Sequence, residues 1–255
     1  MTASRPLRAL RRRLAHSALF AFNPVLRDRW VAQQAHRLPQ GAVVLDVGAG
    51  SAPYRELFAH CDYRTQDFHQ LSDRQLRYGG YDRIDYVSDA AAIPVADATF
   101  DAVLCTEMLE HVPDPLSVLR ELARILRAGG RLMLTAPLGS GIHQEPYHFY
   151  GGFTPYWYRR FLPEAGFADI QILANGGSPR FFSQEALRFL RLSAPWSLRR
   201  MSLWQRMLWT PLWLALAPVL GLAVPVLATW LDRYDQEQRF TVGYHVTARR
   251  RGGEP

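Results

Sequence analysis

The sequence predicts an α/β fold built on a doubly wound, mostly parallel sheet. Three observations carry this. Short valine-rich runs alternate with segments of helical periodicity between residues 41 and 136. The first run, Val43-Val44-Leu45-Asp46-Val47, breaks into the turn Gly48-Ala49-Gly50. An acid stands at or near the end of each of the first four runs: Asp46, Asp67, Asp89 and Glu107. Apolar strands joined by helices make a parallel sheet covered on both faces, and such sheets bind ligands at their carboxyl edge.

Taken in order, residues 5–22 alternate arginines (Arg5, Arg8, Arg11, Arg12, Arg13) with Leu7, Leu10, Leu14, Leu19 and Phe20. That is the pattern of a basic amphipathic helix on an anionic membrane, although a solvated tail fits it too. Leu19-Phe20-Ala21-Phe22 is too short an apolar core for a signal peptide. Asn23-Pro24 opens a second helix to about Leu38. After the glycine turn, Pro53 suits a first helical position, where its missing N–H has no partner to lose. Tyr54 to Phe58 should continue that helix.

Cys61 to Gln66 reads as the second strand, closed by Asp67. That acid falls about twenty residues beyond the glycine turn, where a ribose-binding carboxylate is expected; Asp73 is its rival. Residues 68–83 form a loop, and Ile84 to Ser88 a third strand ending in Asp89-Ala90. Phe100 to Cys105 is the fourth strand, and Glu107 lies just past it. Pro115 starts a helix with one apolar face, Leu116, Leu119, Leu122, Ile125 and Leu126. Gly129-Gly130 is expected to stop it, and Arg131 to Ala136 to form the fifth strand.

The dinucleotide fingerprint needs a third glycine where this chain has Pro53, and Asp46 would repel a pyrophosphate. A nicotinamide-dependent oxidoreductase is thereby disfavoured, whereas a cofactor carrying an ammonium and a sulfonium would be attracted. Asp46-Val47-Gly48-Ala49-Gly50 resembles the first motif of the class I S-adenosylmethionine-dependent methyltransferases, apart from Ala52, where many members carry glycine. Thr106-Glu107-Met108-Leu109-Glu110-His111-Val112-Pro113-Asp114-Pro115 resembles the segment after the fourth strand in small-molecule and lipid methyltransferases. The resemblance covers roughly 41–174 and 239–248. It implies a Rossmann-like, seven-stranded sheet with the last strand antiparallel, and S-adenosylmethionine as cofactor. It further implies cofactor roles for Asp46, Gly48, Ala49, Gly50, Asp67, Asp89, Ala90 and Glu107. The helix before the first strand would cover the cofactor.

The fifth strand leads into a loop, 137–150, that resembles the family's substrate loop and runs into Phe153-Thr154-Pro155. An acceptor hydroxyl or acidic carbon must lose a proton. His143 and His148 are therefore the candidate bases. His111, Glu145, Tyr147 and Tyr150 are the candidate substrate contacts. The spacing of His143, Glu145 and His148 is too loose for a metal site, and none is expected. After the fourth strand there is no Asn/Asp-Pro-Pro-aromatic segment for amino methylation of adenine and no Pro-Cys pair for covalent pyrimidine chemistry. Nucleic acid is not the expected partner.

Thr154 to Ala165 reads as a helix, Phe167 to Ala174 as the sixth strand and Phe240 to Ala248 as the seventh. Far more chain separates these strands than a hairpin needs. Within it, 208–231 carries no charge and as a helix would reach about 36 Å, enough to cross a bilayer. One crossing would put the sixth and seventh strands on opposite sides, where they could not pair. Arg199, Arg200 and Arg206 precede the segment and Arg233 follows it, while Pro211, Pro218 and Pro225 would kink or break it. We therefore expect broken helices in one leaflet, with 207–231 and the N-terminal arginines on the membrane; a soluble cap or dimer interface is the alternative.

In 255 residues, 48% hydrophobic and 21% charged, there is room for one α/β domain with additions. We divide the chain into a basic helical region, 1–40, the α/β domain, 41–175 plus 239–249, and an apolar helical insertion, 176–238. All thirty basic residues are arginine and the net charge is +7, which suits anionic lipids or substrates. Two cysteines offer no disulfide framework, so a reducing compartment is the default, and the expected location is the cytoplasmic face of a membrane. The expected function is methyl transfer to a small or lipid-linked acceptor. The alternative is a cofactor-binding or scaffold protein of the same fold without transfer activity.

Overall fold

The structure, a computed structural model, describes residues 17–252, so most of the basic segment expected over 5–22 lies outside the described residues. The chain forms two compact units. One contains Asn175–Val242 with the described residues up to Leu26; the other contains Arg27–Ala174 and the chain from Gly243 onward.

The second unit is organised by its strands: β1 (Val43–Val47), β2 (Asp62–Asp67), β3 (Tyr86–Val87), β4 (Phe100–Thr106), β5 (Leu126–Pro137), β6 (Phe167–Ala174) and β7 (Gly243–Arg250). They form one sheet in the order β3-β2-β1-β4-β5-β7-β6. All neighbours are parallel except β7, which runs antiparallel to both β5 and β6. The chain builds outward from β1 and then crosses to β4, so the carboxyl ends of β1 and β4 flank the switch point where such sheets hold ligands.

Alternation along the strands divides the core between the two faces. Leu45, Val47, Val103, Cys105, Leu132 and Leu134 pack with Val118, Leu119 and Leu122 of α2 (Pro115–Ile125) and with Tyr158 and Leu162 of α3 (Pro155–Glu164). Val44, Ala102, Leu104 and Met133 pack instead with Trp30, Val31 and Ala35 of α1 (Phe22–Ala35), and with Tyr54 and Phe58. Asp114 caps α2 by accepting bonds from the Leu116 and Ser117 amides, and Thr154 caps α3 in the same way from Trp157.

Two elements depart from the sequence expectation. The helix expected after the glycine turn is a 3₁₀ turn, Arg55–Phe58. Val43 pairs with Asp62, so the chain must travel back along the whole of β1, about 17 Å, within 54–61, the residues left after the turn through 48–53. An α-helix rises only about 1.5 Å per residue, too little for that distance. The second departure is Gly129-Gly130, which lies inside β5 rather than ending α2. Helix α2 stops at Ile125 because Leu126 is already extended and pairs with Phe100, and residues 127–130 bulge before pairing resumes at Ala102–Arg131.

The first unit holds α4 (Ser178–Leu192) and a long helical stretch made of α5 (Leu203–Pro218), a π-helical turn (Val219–Ala223) and α6 (Val224–Leu231). The prolines do not separate this stretch into distinct helices; the turn after Pro218 absorbs the lost hydrogen bonds as a local π widening. Gly177 and Ser178 amides at the start of α4 donate to Asp232 and Asp235, and Arg180 pairs with Asp232. At the other end, the Trp209 and Trp213 indoles donate to the carbonyls of Ser193 and Leu190. The two arms are thus an antiparallel hairpin.

Candidate functional site

The glycine turn sits at the carboxyl end of β1. Gly48 and Gly50 have φ of 72° and 53°, the left-handed region that favours glycine. A Cβ on Gly48 would lie 2.5 Å from Met108 Cγ, so the turn also needs glycine for close approach. The Gly48 and Ala49 amides donate to the Gln66 carbonyl, and the Gly50 amide donates to Asp67 Oδ2 at 2.9 Å. Asp67 Oδ1 accepts from the His69 amide. Each carboxylate oxygen keeps a lone pair for a further donor.

Asp46 is fully buried. Its Oδ2 accepts from the Tyr63 hydroxyl. Burial pushes its pKa up to about 7, with the Tyr63 bond opposing and the Asp67 charge adding to the rise. Glu107, just past β4, accepts from the Thr135 hydroxyl at 2.8 Å and pairs with Arg27 at 3.4 Å.

These groups line one cavity of about 290 Å³ together with Arg27, Tyr54, Arg77, Met108, His111 and Tyr147. An adjoining hollow of about 250 Å³ has Asp89 and Ala90 on one side and Phe68, Met108, Val112 and Phe149 on the others. This second space is largely apolar and suits a flat ring, with Asp89 at its exposed rim.

His111, His143 and His148 come together, with ring centroids 4.7 Å apart for His111–His143 and for His143–His148. Only His111 of the three lines the cavity. Burial and the two neighbouring imidazoles push its pKa down to about 4, against the opposing bond to the Tyr147 carbonyl. Tyr147 reaches the cavity, whereas the Tyr150 hydroxyl donates to the Pro113 carbonyl and the Glu145 side chain is exposed.

Sequence reasoning did not find Arg27, Tyr54 or Arg77. Arg27 Nε lies 3.2 Å from the Tyr54 hydroxyl, which donates to Asp28; Arg77 also pairs with Asp28. The half-buried Arg27 is a cation in the cavity suited to an amino-acid carboxylate, and Asp67 to paired hydroxyls. The glycine turn gives room for a close ligand, so these residues fit S-adenosylmethionine.

A cavity at this switch point, with carboxylates where a dinucleotide site would receive phosphates, is the construction of the class I S-adenosylmethionine-dependent methyltransferases. Residues 45–134 match the family described as a methyltransferase domain. The α/β unit carries the match to that family, whose cofactor, S-adenosylmethionine, its cavity residues fit.

The chain is 40% identical over 130 residues to the ubiquinone biosynthesis O-methyltransferase of Xanthomonas campestris pv. campestris (strain B100), a match covering 46% of this chain and 51% of that one. It is 33% identical over 140 residues to the enzyme of the same name from Leptothrix cholodnii, covering 51% and 56%. The chain thus spans about half the length of the curated relatives it matches. Among solved structures it is similar to the [4+2]-cyclase SpnF, at 20% identity and a TM-score of 0.51, covering 89% of this chain and 81% of that one. It is also similar to a Haemonchus contortus phosphoethanolamine N-methyltransferase 2, at 16% identity and a TM-score of 0.50, covering 88% and 52%. At such identities these two likenesses show the fold alone.

Proposed function

We propose that the protein transfers a methyl group from S-adenosylmethionine to a hydroxyl of a small or lipid-linked acceptor at the cytoplasmic face of a membrane. The observation that carries this is the imidazole cluster adjoining the carboxylate-lined cavity. Relatives named for O-methylation in ubiquinone biosynthesis favour oxygen as the acceptor atom, and the exposed apolar hairpin favours a lipid-linked one.

When bound, S-adenosylmethionine would supply a methyl carbon activated by its sulfonium for transfer to the acceptor oxygen. Asp67 would hold hydroxyls of the bound molecule and Arg27 its carboxylate, while Asp46 and Glu107 would add negative potential beside its cationic part. The residues of the 137–150 loop shape the acceptor space and remove its proton. His148 Nε2 lies 3.0 Å from Ser140 Oγ, and that hydroxyl faces the Gly151 carbonyl at 3.2 Å. If the hydroxyl donates to the carbonyl, His148 donates to the hydroxyl and its Nδ1 keeps a lone pair for the acceptor proton. Burial and nearby His143 lower the His148 pKa, which keeps the ring neutral and able to act as a base. His143 is the other candidate.

The test uses labelled S-adenosylmethionine with a panel of hydroxylated aromatic lipids in vesicles, the methylated atom being identified by mass spectrometry. Transfer to oxygen is expected. Turnover should fall roughly 10²–10⁴-fold in His148→Ala or His143→Ala, whichever is the base, with cofactor affinity nearly unchanged. Asp67→Ala should instead weaken cofactor binding by about 1–3 kcal/mol. Cofactor binding without transfer to any of these hydroxyls would identify a binding protein and overturn the proposal.

A further inference from the structure

We infer that Glu110, His111 and His143 form a binding site for a divalent metal ion of the zinc class at the wall of the cofactor cavity. One potential ligand atom from each of the three lies within 4.8 Å of the others. Glu110 and His111 belong to the 3₁₀ turn Leu109–His111 that follows β4, and His143 comes from the 137–150 loop. The Glu110 carbonyl accepts the Phe149 and Tyr150 amides at 2.9 and 3.2 Å. The backbone therefore ties the loop to the turn that carries the other two ligands.

The tautomers leave the Nε2 atoms free to ligate. His111 Nδ1 lies 2.5 Å from the Tyr147 carbonyl oxygen, and His143 Nδ1 lies 2.9 Å from that of Gly141. A carbonyl only accepts, so both Nδ1 atoms carry protons and, in neutral rings, both Nε2 atoms carry lone pairs. An imidazole whose second nitrogen donates to a carbonyl is the usual outer-shell arrangement for a metal-bound histidine.

Glu110 adds the charge. Its side chain is 1% exposed, Oε2 is buried without a hydrogen-bond partner, and Oε1 stands 3.7 Å from His111 Nε2. A lone pair and a buried carboxylate oxygen facing each other repel unless a cation or a proton lies between them. Two imidazoles and one carboxylate suit zinc and its neighbours rather than magnesium or calcium, and they leave coordination positions open.

His111 also lines the cofactor cavity, so an ion held here would be placed to polarise an acceptor oxygen and ease loss of its proton. With His143 engaged, His148 is left as the base. This catalytic part rests on the O-methylation proposed above, whereas the ion binding does not.

The test is titration of the full-length protein with cobalt(II), followed by its visible d–d absorption, and with zinc(II) by calorimetry. One ion per chain is expected, with zinc displacing cobalt. Glu110→Gln and His143→Ala should each weaken binding by at least about 100-fold, beyond the 10–100-fold typical of losing an outer-shell partner. His36→Ala, on α1's trailing turn, should leave binding unchanged. Because His143 is exposed, its variant should fold, and retained S-adenosylmethionine binding verifies that for each variant. The site is overturned by absence of stoichiometric binding, or by binding that survives both ligand substitutions; a proton shared by Glu110 and His111 then explains their contact. If the ion binds but its removal by chelation leaves methyl transfer unchanged, the site stands and its catalytic role is overturned. Ion binding without any methyl transfer counts against the proposed function, not against the site.

Discussion

At the scale of single residues, Asp46 brings the conflict between stability and cofactor binding to one carboxyl. Its folded pKa of about 7 is well above the ordinary 3.8, mainly because of burial. Between those values the folded protein holds a proton that the unfolded chain has lost. The ligand-free protein is therefore most stable on the acid side of that window and loses stability as pH rises through about 7. Asp46→Asn keeps an acceptor for Tyr63 and removes the charge. Its stability gain should be near zero at pH 4 and reach on the order of 2–4 kcal/mol at pH 8, at about 1.4 kcal/mol per unit, measured by denaturant unfolding. Its affinity for S-adenosylmethionine, relative to that of the native protein, should fall over the same range. A stability gain that does not change with pH would show that Asp46 is not the titrating group. Asp46, like Asp67, Asp89 and Glu107, was legible because the strand pattern alone places it at the carboxyl edge. Arg27 was not, because nothing in the spacing of α1 says which turn passes over the cavity.

At the scale of elements, the start of α2 lies just downstream of the turn that carries Glu110 and His111. Asp114 Oδ1 accepts the Leu116 and Ser117 amides at 3.1 Å each, and Pro115 occupies the first turn. Asp114→Ala should lower global stability, because two amides of the first turn lose their acceptor. S-adenosylmethionine affinity should barely change, because the Glu107 amide bonds the Thr135 carbonyl and the His111 amide the Met108 carbonyl independently of the cap. Urea unfolding and calorimetry measure the two effects; a large loss of affinity would show that the cap also positions the site. Helix α2 was legible from its periodicity and its start at Pro115, and β6 runs over the expected Phe167–Ala174. The 3₁₀ turn after β1 and the glycines inside β5 were not, since both are set by register with neighbouring strands and local propensity does not encode register.

At the scale of the whole molecule, the hairpin raises the question of whether it enters a membrane and how far. Trp204, Leu208 and Leu212 recur at helical spacing and are 74%, 79% and 53% exposed, and Leu203–Tyr234 is long and apolar enough to cross a bilayer. Such an extended apolar surface calls for a lipid or protein partner. At about 1.5 Å per residue the helical stretch reaches roughly 48 Å, against a hydrocarbon core of about 30 Å. Yet β6 pairs with β7, and only 235–242 joins the end of the stretch to β7. If Tyr234 were on the far side, those residues would have to recross, and at ~3.5 Å per residue they reach about 28 Å as bare backbone. The start of α4 is also bonded to Asp232 and Asp235. Both ends of the stretch should therefore stay on one side, with the hairpin lying in a single leaflet. The 255-residue chain should sediment with anionic vesicles. Salt should weaken this by screening the flanking arginines without abolishing it. Leu208→Gln with Leu212→Gln should reduce partitioning by at least about 100-fold, on the basis of roughly 1.5–3 kcal/mol for each buried leucine. Single cysteines at positions 206 and 233, each in a chain freed of Cys61 and Cys105, should react with an impermeant reagent from the same face. Labelling from opposite faces would make the stretch a true span, and the pairing of β7 with β6 could not then be correct.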